Sequence, residues 1–488
     1  MSQAPPRTHA ASDGEASSQA PTPHEPPPEG SFPTPAPKHD PYASLRYPFF
    51  LRYMLGNFFF TMGRHALTLA IGWQVYEWTN SAAALGFIGF VNVLPLFALV
   101  FPAGVLSDRV DRRQIILVTM AVSCVLSILL ALCTYFHEAI PSHALLLAAN
   151  SLLKDAAAFF SSADAQSALH FDNPAIPIIF LLQLLQSTVR VISGPARTTI
   201  IPLLVPPDKI NNAFIWNSSA FELSAVLGAG VGGFVLLYSY TLIYAFDAIF
   251  AACLAFILLG VKTRQVTAAH AGTNAPGALA GVVFIWKQKA VLGAITLDLF
   301  AVLFGGVVAL FPIYAEEVLE AGSGGFGALR AAPTLGAVTM AILIAHMRPF
   351  RRPGITLLWY VAGFGLSLLI FALSRNIFLS IVALFLSGMC DNVSVVIRHT
   401  LVQMLTPDNL RGRVTSVNQL FIGSSNEISE LRGGLMAARF GAVTSGTIGA
   451  LCTMLVVLGV AALIPALRRV PPLSELKPAG EDNGKSTT

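Results

Sequence analysis

Residues 83–113 read AALGFIGFVNVLPLFALVFPAGVLSDRVDRR, and this stretch decides the class of fold. Its first 25 residues carry no charge, and five charged residues then follow within six positions, 108–113. About twenty apolar residues in a helix cross the ~30 Å hydrocarbon core of a bilayer. We therefore predict a membrane-spanning helix that ends in a short charged loop.

Similar apolar stretches recur along most of the chain. Because lipid cannot hydrogen-bond to the backbone and the stretches lack the alternation of barrel strands, we predict that all of them are helices. We predict twelve spans, at 51–76, 83–106, 114–136, 174–196, 210–236, 241–261, 290–315, 325–346, 354–373, 377–397, 414–437 and 443–466.

Composition supports an all-α membrane protein. Of the 488 residues, 54% are hydrophobic and 11% charged, and the mean hydropathy is +0.66. A soluble domain carries about 25% charged residues, so an ordinary soluble enzyme is excluded. The net charge of +4 is too small to indicate nucleic-acid binding. The five cysteines lie in apolar runs without CxxC spacing, so neither disulfides nor a zinc site is indicated, and no cofactor is expected.

The remaining segments divide the chain. Eleven prolines occur in the first 41 residues, a composition typical of a disordered tail. A Gly-, Ala- and Lys/Arg-containing stretch separates the first six predicted helices from the last six. The predicted parts are a tail at 1–45, a six-helix bundle at 46–261, a linker at 262–289, a second bundle at 290–466 and a tail at 467–488.

One connection within the first bundle, residues 137–173, is too long for a hairpin. Its part from Ala144 to Phe160 is rich in Leu and Ala and permits either an amphipathic helix on the outer side or an irregular insertion. Of the two, we favour the irregular insertion.

Lysine and arginine are distributed unequally between the two sides of the membrane. If both termini lie inside, only Lys154, Arg375 and Arg439 remain in the outer connections, and the other connections and flanks hold most of the basic residues. Basic residues in short loops favour the cytoplasmic side. We therefore predict that both termini, with the tails and the linker, are cytoplasmic.

Two internal repeats coincide with the division into six and six helices. RTTIIPLLVPPD at 197–208 matches RHTLVQMLTPD at 398–408, and GFIGFVNVLP at 86–95 matches GFGALRAAP at 325–333 more weakly. Two pseudo-symmetric bundles of this kind are the architecture of a rocking transporter whose substrate site lies between the halves.

The charged loop after the second span is the most specific motif. Residues 104–113 resemble the Gly-x-x-x-Asp-Arg-x-Gly-Arg-Arg signature of the major facilitator superfamily, with Asp111 where the family usually has glycine. We expect the small Gly104 to permit close helix packing. The resemblance implies that this loop latches one conformational state, and its residues are Gly104, Asp108, Arg109, Arg112 and Arg113.

Two further elements resemble motifs of the same family. Arg190 to Gly194 resembles its Arg-x-x-x-Gly motif. Residues 228–233, GAGVGG, resemble the Gly-Pro-x-x-Gly-Gly element of exporters, with Ala229 in place of proline. The expected helix-packing and bending residues are Gly194, Gly228, Gly230, Gly232 and Gly233, although generic glycine packing would explain them almost as well.

Residues 46–466 as a whole resemble the enterobactin (siderophore) exporter and macrolide-efflux-like branch of the superfamily. The stretches that carry this resemblance are 72–76, 194–197, 297–306, 411–418 and 424–426. The resemblance implies a proton-driven exporter of small amphiphilic molecules in the bacterial cytoplasmic (inner) membrane, and we expect a monomer embedded in the bilayer.

Charged residues within the spans are candidates for coupling transport to protons, because burying a charge in a membrane is costly. Burial disfavours the ionised carboxyl and a nearby arginine favours it, so alternating exposure can load and release a proton. The candidates are Arg190, Glu222, Asp298, Glu427, Glu430 and Arg432. Permanent ion pairs that hold the helices together are the alternative for each.

Polar residues in the spans are candidates for lining a substrate cavity. They are Arg64, His65, Gln74, Asn92, Asn217, Asn392 and Asn418. The sequence lacks a phosphate-binding loop in a folded context and any clustered catalytic set, so neither an ATP-driven pump nor an enzyme is predicted. Uptake of a small metabolite and a non-transporting receptor or scaffold remain alternatives to export.

Overall fold

The computed structural model describes residues 40, 42–162, 166, 170–260, 276–346 and 350–472. Most of the predicted N-terminal tail, half of the predicted linker and most of the C-terminal tail lie outside these residues. Within them the chain is helical and contains no strand. The twelve long helices are α1 (Pro48–Thr79), α2 (Ala82–Arg109), α3 (Arg112–Tyr135), α4 (Ala175–Thr199), α5 (Ile210–Leu236), α6 (Tyr240–Leu259), α7 (Lys289–Gly305), α8 (Gly322–His346), α9 (Pro353–Leu373), α10 (Ile377–Leu405), α11 (Asp408–Phe440) and α12 (Ala442–Leu463).

Each long helix coincides with one predicted span. Ten of the helical stretches in the described residues are long and apolar enough to cross a membrane, and the stretch that contains α7 continues to Val318. α1 and α11 are outside these ten, although they are 32 and 33 residues long. Both carry charged side chains near their middle, and these charges contact other helices.

The packing repeats after six helices. In the first half α1 packs on α6 and α2 packs on α4, and in the second half α7 packs on α12 and α8 packs on α10. The main contacts between the halves are α2 with α11 and α5 with α8. The counterparts of α2 and α11, six helices along the chain, are α8 and α5, so the pseudo-symmetry converts one contact into the other. The fold is therefore two pseudo-symmetric six-helix bundles.

The bundles meet most closely through glycines. A Cβ added at Gly434 in α11 would lie 2.5 Å from the Cα of Gly86 in α2, and one at Gly327 in α8 would lie 2.7 Å from the Cα of Gly233 in α5. No side chain fits at either position without separating the helices. Both contacts lie toward the α1–α2, α5–α6 and α11–α12 connections, and we call this end of the molecule the closed end.

We expect Gly327→Ala to destabilise the closed end, because the added methyl group would clash with backbone of the other bundle. Overpacking of this kind costs about 1–3 kcal/mol, which is at least a fivefold shift in population. Spin-label distances across this end, measured by pulsed electron resonance, should lengthen. Gly459→Ala in α12 is the matched control, since its Cβ would meet no atom within 4 Å. Equal distances in both variants would contradict the expectation.

Residues 144–160 form a regular helix, Ala144–Phe160, rather than the irregular insertion favoured from sequence. The error has a physical reason, because the helix is held by tertiary contacts that the local sequence does not reveal. Asn150 donates a hydrogen bond from its side chain to the carbonyl oxygen of Asn173 (2.9 Å), and Ala157 is fully buried. A further helix of 12 residues, Pro276–Lys287, occupies the end of the predicted linker.

Candidate functional site

An ion pair joins the two bundles near the middle of their contact surface. Arg190 in α4 donates from Nη2 to Oε1 of Glu427 in α11 across 2.6 Å. The arginine side chain is 49% exposed and the glutamate side chain 12%. Because the partners belong to different bundles, any relative movement of the bundles changes this contact.

Glu430 lies one helical turn after Glu427, so both carboxyl groups share a face of α11. The charge of Glu430 interacts with those of Glu427, Arg330 in α8 and Arg190. Two carboxyls and two guanidiniums from α4, α8 and α11 therefore form one cluster between the bundles, which we call the central charge cluster. Its formal charges balance when both glutamates are ionised.

Arg64 lies inside the N-terminal bundle rather than at its surface. Its guanidinium donates to Gln186 (2.8 Å), to Ser123 and to Asp247, 3.2 Å away. Asp247 is completely buried and also accepts a hydrogen bond from Ser127 (2.6 Å). This pair connects α1 and α6 of one bundle, and the arginine side chain is 19% exposed, so a place for Arg64 in the substrate cavity stays a prediction.

The C-terminal bundle contains a comparable pair. Asp298 in α7 and Arg398 in α10 form a buried ion pair, with side chains 7% and 3% exposed. Asp298, Asp391 and Ser394 border a cavity of about 10 Å³, enough for one water molecule. The counterpart of Arg398 in the other bundle is Arg197, which donates to Oδ1 of Asn57 at 2.6 and 3.0 Å.

Arg432 caps a break in α7 instead of pairing with a carboxyl. Its guanidinium donates to the carbonyl oxygens of Leu303 (3.0 Å) and Phe304 (2.6 Å), where α7 ends at Gly305. These carbonyls lack partners within the helix, and a cation near a helix C-terminus is favourable. The chain continues through short turns to a π-helix at Tyr314–Val318. This contact accounts for Arg432 without a role in coupling.

The other coupling and cavity candidates are spread over several helices. Glu222 in α5 is exposed, and its charge interacts with that of Asp391. The ring of His65 makes an edge contact with Phe221, 5.8 Å between centroids. Asn217 is half-buried, and the side-chain oxygens of Asn392 and Asn418 are buried without a hydrogen-bond partner among the described residues.

Gln74 and Asn92 are not positioned to contact a substrate in this conformation. Gln74 is fully buried in the N-terminal bundle, where it accepts a hydrogen bond from Tyr244 and donates one to Thr134. Asn92 accepts a hydrogen bond from Gln183 (2.8 Å), again within that bundle. Their side chains form hydrogen bonds inside the N-terminal bundle, and the sequence cannot distinguish such interior residues from residues that line a cavity.

The loop between α2 and α3 does not need the family's glycine. Asp111 is the N-cap of α3 and accepts a hydrogen bond from the backbone N–H of Arg113 (2.9 Å). Arg113 in turn donates to the carbonyl oxygens of Leu258 and Leu259 at the end of α6. Arg109 is exposed and Arg112 half-buried, and the side chain of Asp108 lies outside the described residues.

The close packing expected at Gly104 is absent in this conformation, since a Cβ there would meet no atom within 4 Å. The same holds for Gly194 and Gly230. Gly228 and Gly232 pack against α1, and Gly233 packs against α8. Gly104 and Gly194 lie far from the closed end, whereas Gly233 lies within it. Gly230 is near Gly233 in sequence but is exposed on another face of α5.

Arg398 was missed as a candidate site residue, although the sequence contained a signal for it. It opens the repeat at 398–408, just as Arg197 opens the repeat at 197–208. An arginine at the same position in both halves indicates a shared structural role, and in both bundles it contacts the first helix of its half.

The family model of the Major Facilitator Superfamily matches residues 53–429. The chain belongs to the Major Facilitator Superfamily. It is thus a multi-pass membrane protein of a transporter family rather than an enzyme family. Among its relatives within the superfamily, the enterobactin exporter EntS of Shigella boydii serotype 18 is 23% identical over 375 residues, which are 76% of this chain and 81% of the relative. The enterobactin exporter EntS of Escherichia coli O1:K1 has the same identity and coverage.

Solved structures of other Major Facilitator proteins share the fold. A bacterial homolog of the human lysosomal transporter Spinster, in an inward-facing and unoccupied conformation, aligns with a TM-score of 0.61 and 13% identity, over 89% of this chain and 100% of that one. A D-xylose–proton symporter also has a TM-score of 0.61, with 14% identity, 88% of this chain and 99% of its own covered. At these identities the likeness concerns the fold alone.

Proposed function

We propose that the chain is a proton-coupled exporter of small amphiphilic molecules that works by alternating access in the bacterial cytoplasmic membrane. The observation that carries the proposal is the central charge cluster, in which Arg190 of one bundle pairs with Glu427 of the other. Protonation of either glutamate removes a charge from a contact between the bundles, so proton binding and bundle movement are linked.

The buried pairs within single bundles are unsuited to this task. In rigid-body rocking each bundle moves as a unit, so Arg64–Asp247 and Asp298–Arg398 are neither made nor broken. Among the ion pairs between the described transmembrane helices, Arg190–Glu427 is the one that joins the bundles. We therefore assign proton coupling to Glu427 and Glu430 and a structural role to Asp298; Glu222 carries no assignment.

The charge distribution supports an orientation with both termini in the cytoplasm. Arg109, Arg112, Arg113, Arg351 and Arg352 lie in the connections far from the closed end, while the connections beside it hold few basic residues. In that orientation the closed end faces outward, and the conformation is the inward-facing one. An exporter in this state would accept its cargo from the cytoplasm or inner leaflet.

Export is supported by the enterobactin exporters among the relatives and by the glycine element of α5, whose Gly233 forms part of the closed end. A proton that crosses 100 mV contributes about 2.3 kcal/mol, enough for roughly fiftyfold accumulation. The enterobactin exporters among the relatives support a substrate class, and we propose a siderophore-like or drug-like amphiphile.

Everted membrane vesicles test the proposal. Vesicles that contain the protein, energised to an acidic interior, should accumulate enterobactin or a macrolide, and adding that compound should release part of the proton gradient. An uncoupler should abolish accumulation, and vesicles without the protein are the control. Accumulation only in right-side-out vesicles would indicate uptake. Absence of transport for a broad panel of amphiphiles, with correct membrane insertion verified, would favour a receptor or scaffold.

A further inference from the structure

The Ala144–Phe160 helix contacts both bundles. It packs on α2 and α4 of the N-terminal bundle, in which it is inserted, and also on α11 of the C-terminal bundle. Asn150 anchors it to Asn173, two residues before α4, and the ring of Phe160 lies 6.4 Å from that of Phe87 in α2. The helix is thus fixed to one bundle and reaches the other.

The contact with α11 includes two hydrogen bonds just after the helix ends. The backbone N–H of Ser162 donates to the carbonyl oxygen of Ala438 (2.9 Å), and Arg439 donates from Nη1 to the carbonyl oxygen of Ser161 (3.3 Å). Ala438 lies one helical turn beyond Gly434, which packs on α2 at the closed end. The segment therefore crosses the boundary between the two bundles beside the close contact of Gly434 with α2.

We propose that residues 144–162 act as a strap that holds the two bundles together at the closed end and so increases the population of the conformation closed there. Opening this end separates α2 from α11, because α2 belongs to the N-terminal bundle and α11 to the C-terminal bundle. Both hydrogen bonds of the strap must then break, in addition to the glycine contacts. Each intramolecular hydrogen bond shifts such an equilibrium about fivefold. This inference depends on the two-bundle fold and not on the identity of the cargo.

Two substitutions remove the strap's hydrogen bonds without touching the bundles' own packing. Ser162→Pro eliminates the donating N–H, and the preceding Ser161 already has the extended conformation that a following proline requires (φ −85°, ψ 153°). Arg439→Ala removes the other donor. Lys154→Ala is the matched control, because Lys154 is exposed on the same helix and forms no ion pair among the described residues.

Pulsed electron paramagnetic resonance on the full-length protein in nanodiscs measures distances across the closed end. Spin labels at Tyr238→Cys and Arg375→Cys, both exposed beside this end in different bundles, report its opening, with the native cysteines replaced by alanine. We expect the ratio of long to short distances to rise about fivefold in Ser162→Pro and in Arg439→Ala and to stay unchanged in Lys154→Ala.

Unchanged distances in both strap variants would overturn the proposal, as would an equal change in the Lys154→Ala control. If Ser162→Pro fails to fold, Arg439→Ala alone decides the matter. Because the distances are recorded without cargo or proton gradient, a negative result here is distinct from a failure of the export proposal.

Discussion

Glu427→Gln and Glu430→Gln should each lower proton-driven accumulation of cargo at least tenfold while leaving downhill exchange of the same cargo largely intact. Glutamine keeps the shape of the side chain and can donate a hydrogen bond, but it cannot exchange a proton. Each single variant leaves one exchangeable carboxyl in the central charge cluster, and we expect that this one carboxyl does not couple bundle movement to protons. A gradient of 100 mV, which would otherwise sustain roughly fiftyfold accumulation, then has no effect.

The measurement is cargo accumulation in energised everted vesicles, compared with exchange of labelled for unlabelled cargo in the absence of a gradient. Glu138→Gln is the matched control, because it makes the same chemical change at an exposed position between α3 and the Ala144–Phe160 helix. Glu427→Gln is also expected to fold, since its partner Arg190 is 49% exposed and remains solvated. Full accumulation in both variants would rule out the cluster as the coupling site.

Asp298→Asn is expected to damage the fold rather than the coupling. The substitution leaves the buried charge of Arg398 without its ion-pair partner, and breaking a buried ion pair from one side costs about 3–5 kcal/mol. That is a large part of the stability of a typical protein, so the yield of folded protein and its melting temperature in detergent should both fall sharply.

The double variant Asp298→Asn with Arg398→Met separates this structural role from a role in proton transfer. Replacing both partners removes the unpaired charge, so most of the lost melting temperature should return, and proton-driven accumulation should return with it. Asp155→Asn, at an exposed position, controls for the loss of a carboxyl. If Asp298→Asn instead melts normally and fails only in proton-driven transport, Asp298 carries the proton and our assignment to α11 is wrong.

The sequence predicts the spans well because their length follows from one external constraint, the thickness of the bilayer. Each helix appears within a few residues of its predicted bounds, with two kinds of exception: α7 ends at Gly305 rather than at 315, and some helices extend into a polar end, as α10 does to Leu405. The sequence also predicts the family and the pseudo-symmetry, since local motifs indicate the family and internal repeats indicate the pseudo-symmetry. The sequence does not predict the Ala144–Phe160 helix, because contacts with residues distant in sequence stabilise it.

The site was only partly predictable for a related reason. A charge in an apolar span is visible in the sequence, but its partner depends on how each helix is rotated about its axis. Arg64 and Asp247 are 183 positions apart, and nothing local pairs them. Gln74 is a polar residue in an apolar span, as a cavity residue would be, but its hydrogen bonds lie in the interior of the N-terminal bundle. For Arg432 the deciding feature is the break in α7, which leaves carbonyl groups free to accept its hydrogen bonds.

The interruption of α7 has a consequence for the closed end. The short π-helix beyond the break carries Glu317, which accepts a hydrogen bond from Tyr76 at the end of α1, so this piece of the chain seals against the opposite bundle. The segment is nevertheless anchored in its own bundle, because Tyr314 and Ala315 are fully buried and Tyr314 donates a hydrogen bond to the carbonyl oxygen of Ala372 (2.8 Å). It therefore moves with the C-terminal bundle, and its contact with Tyr76 must break whenever the two bundles separate at the closed end.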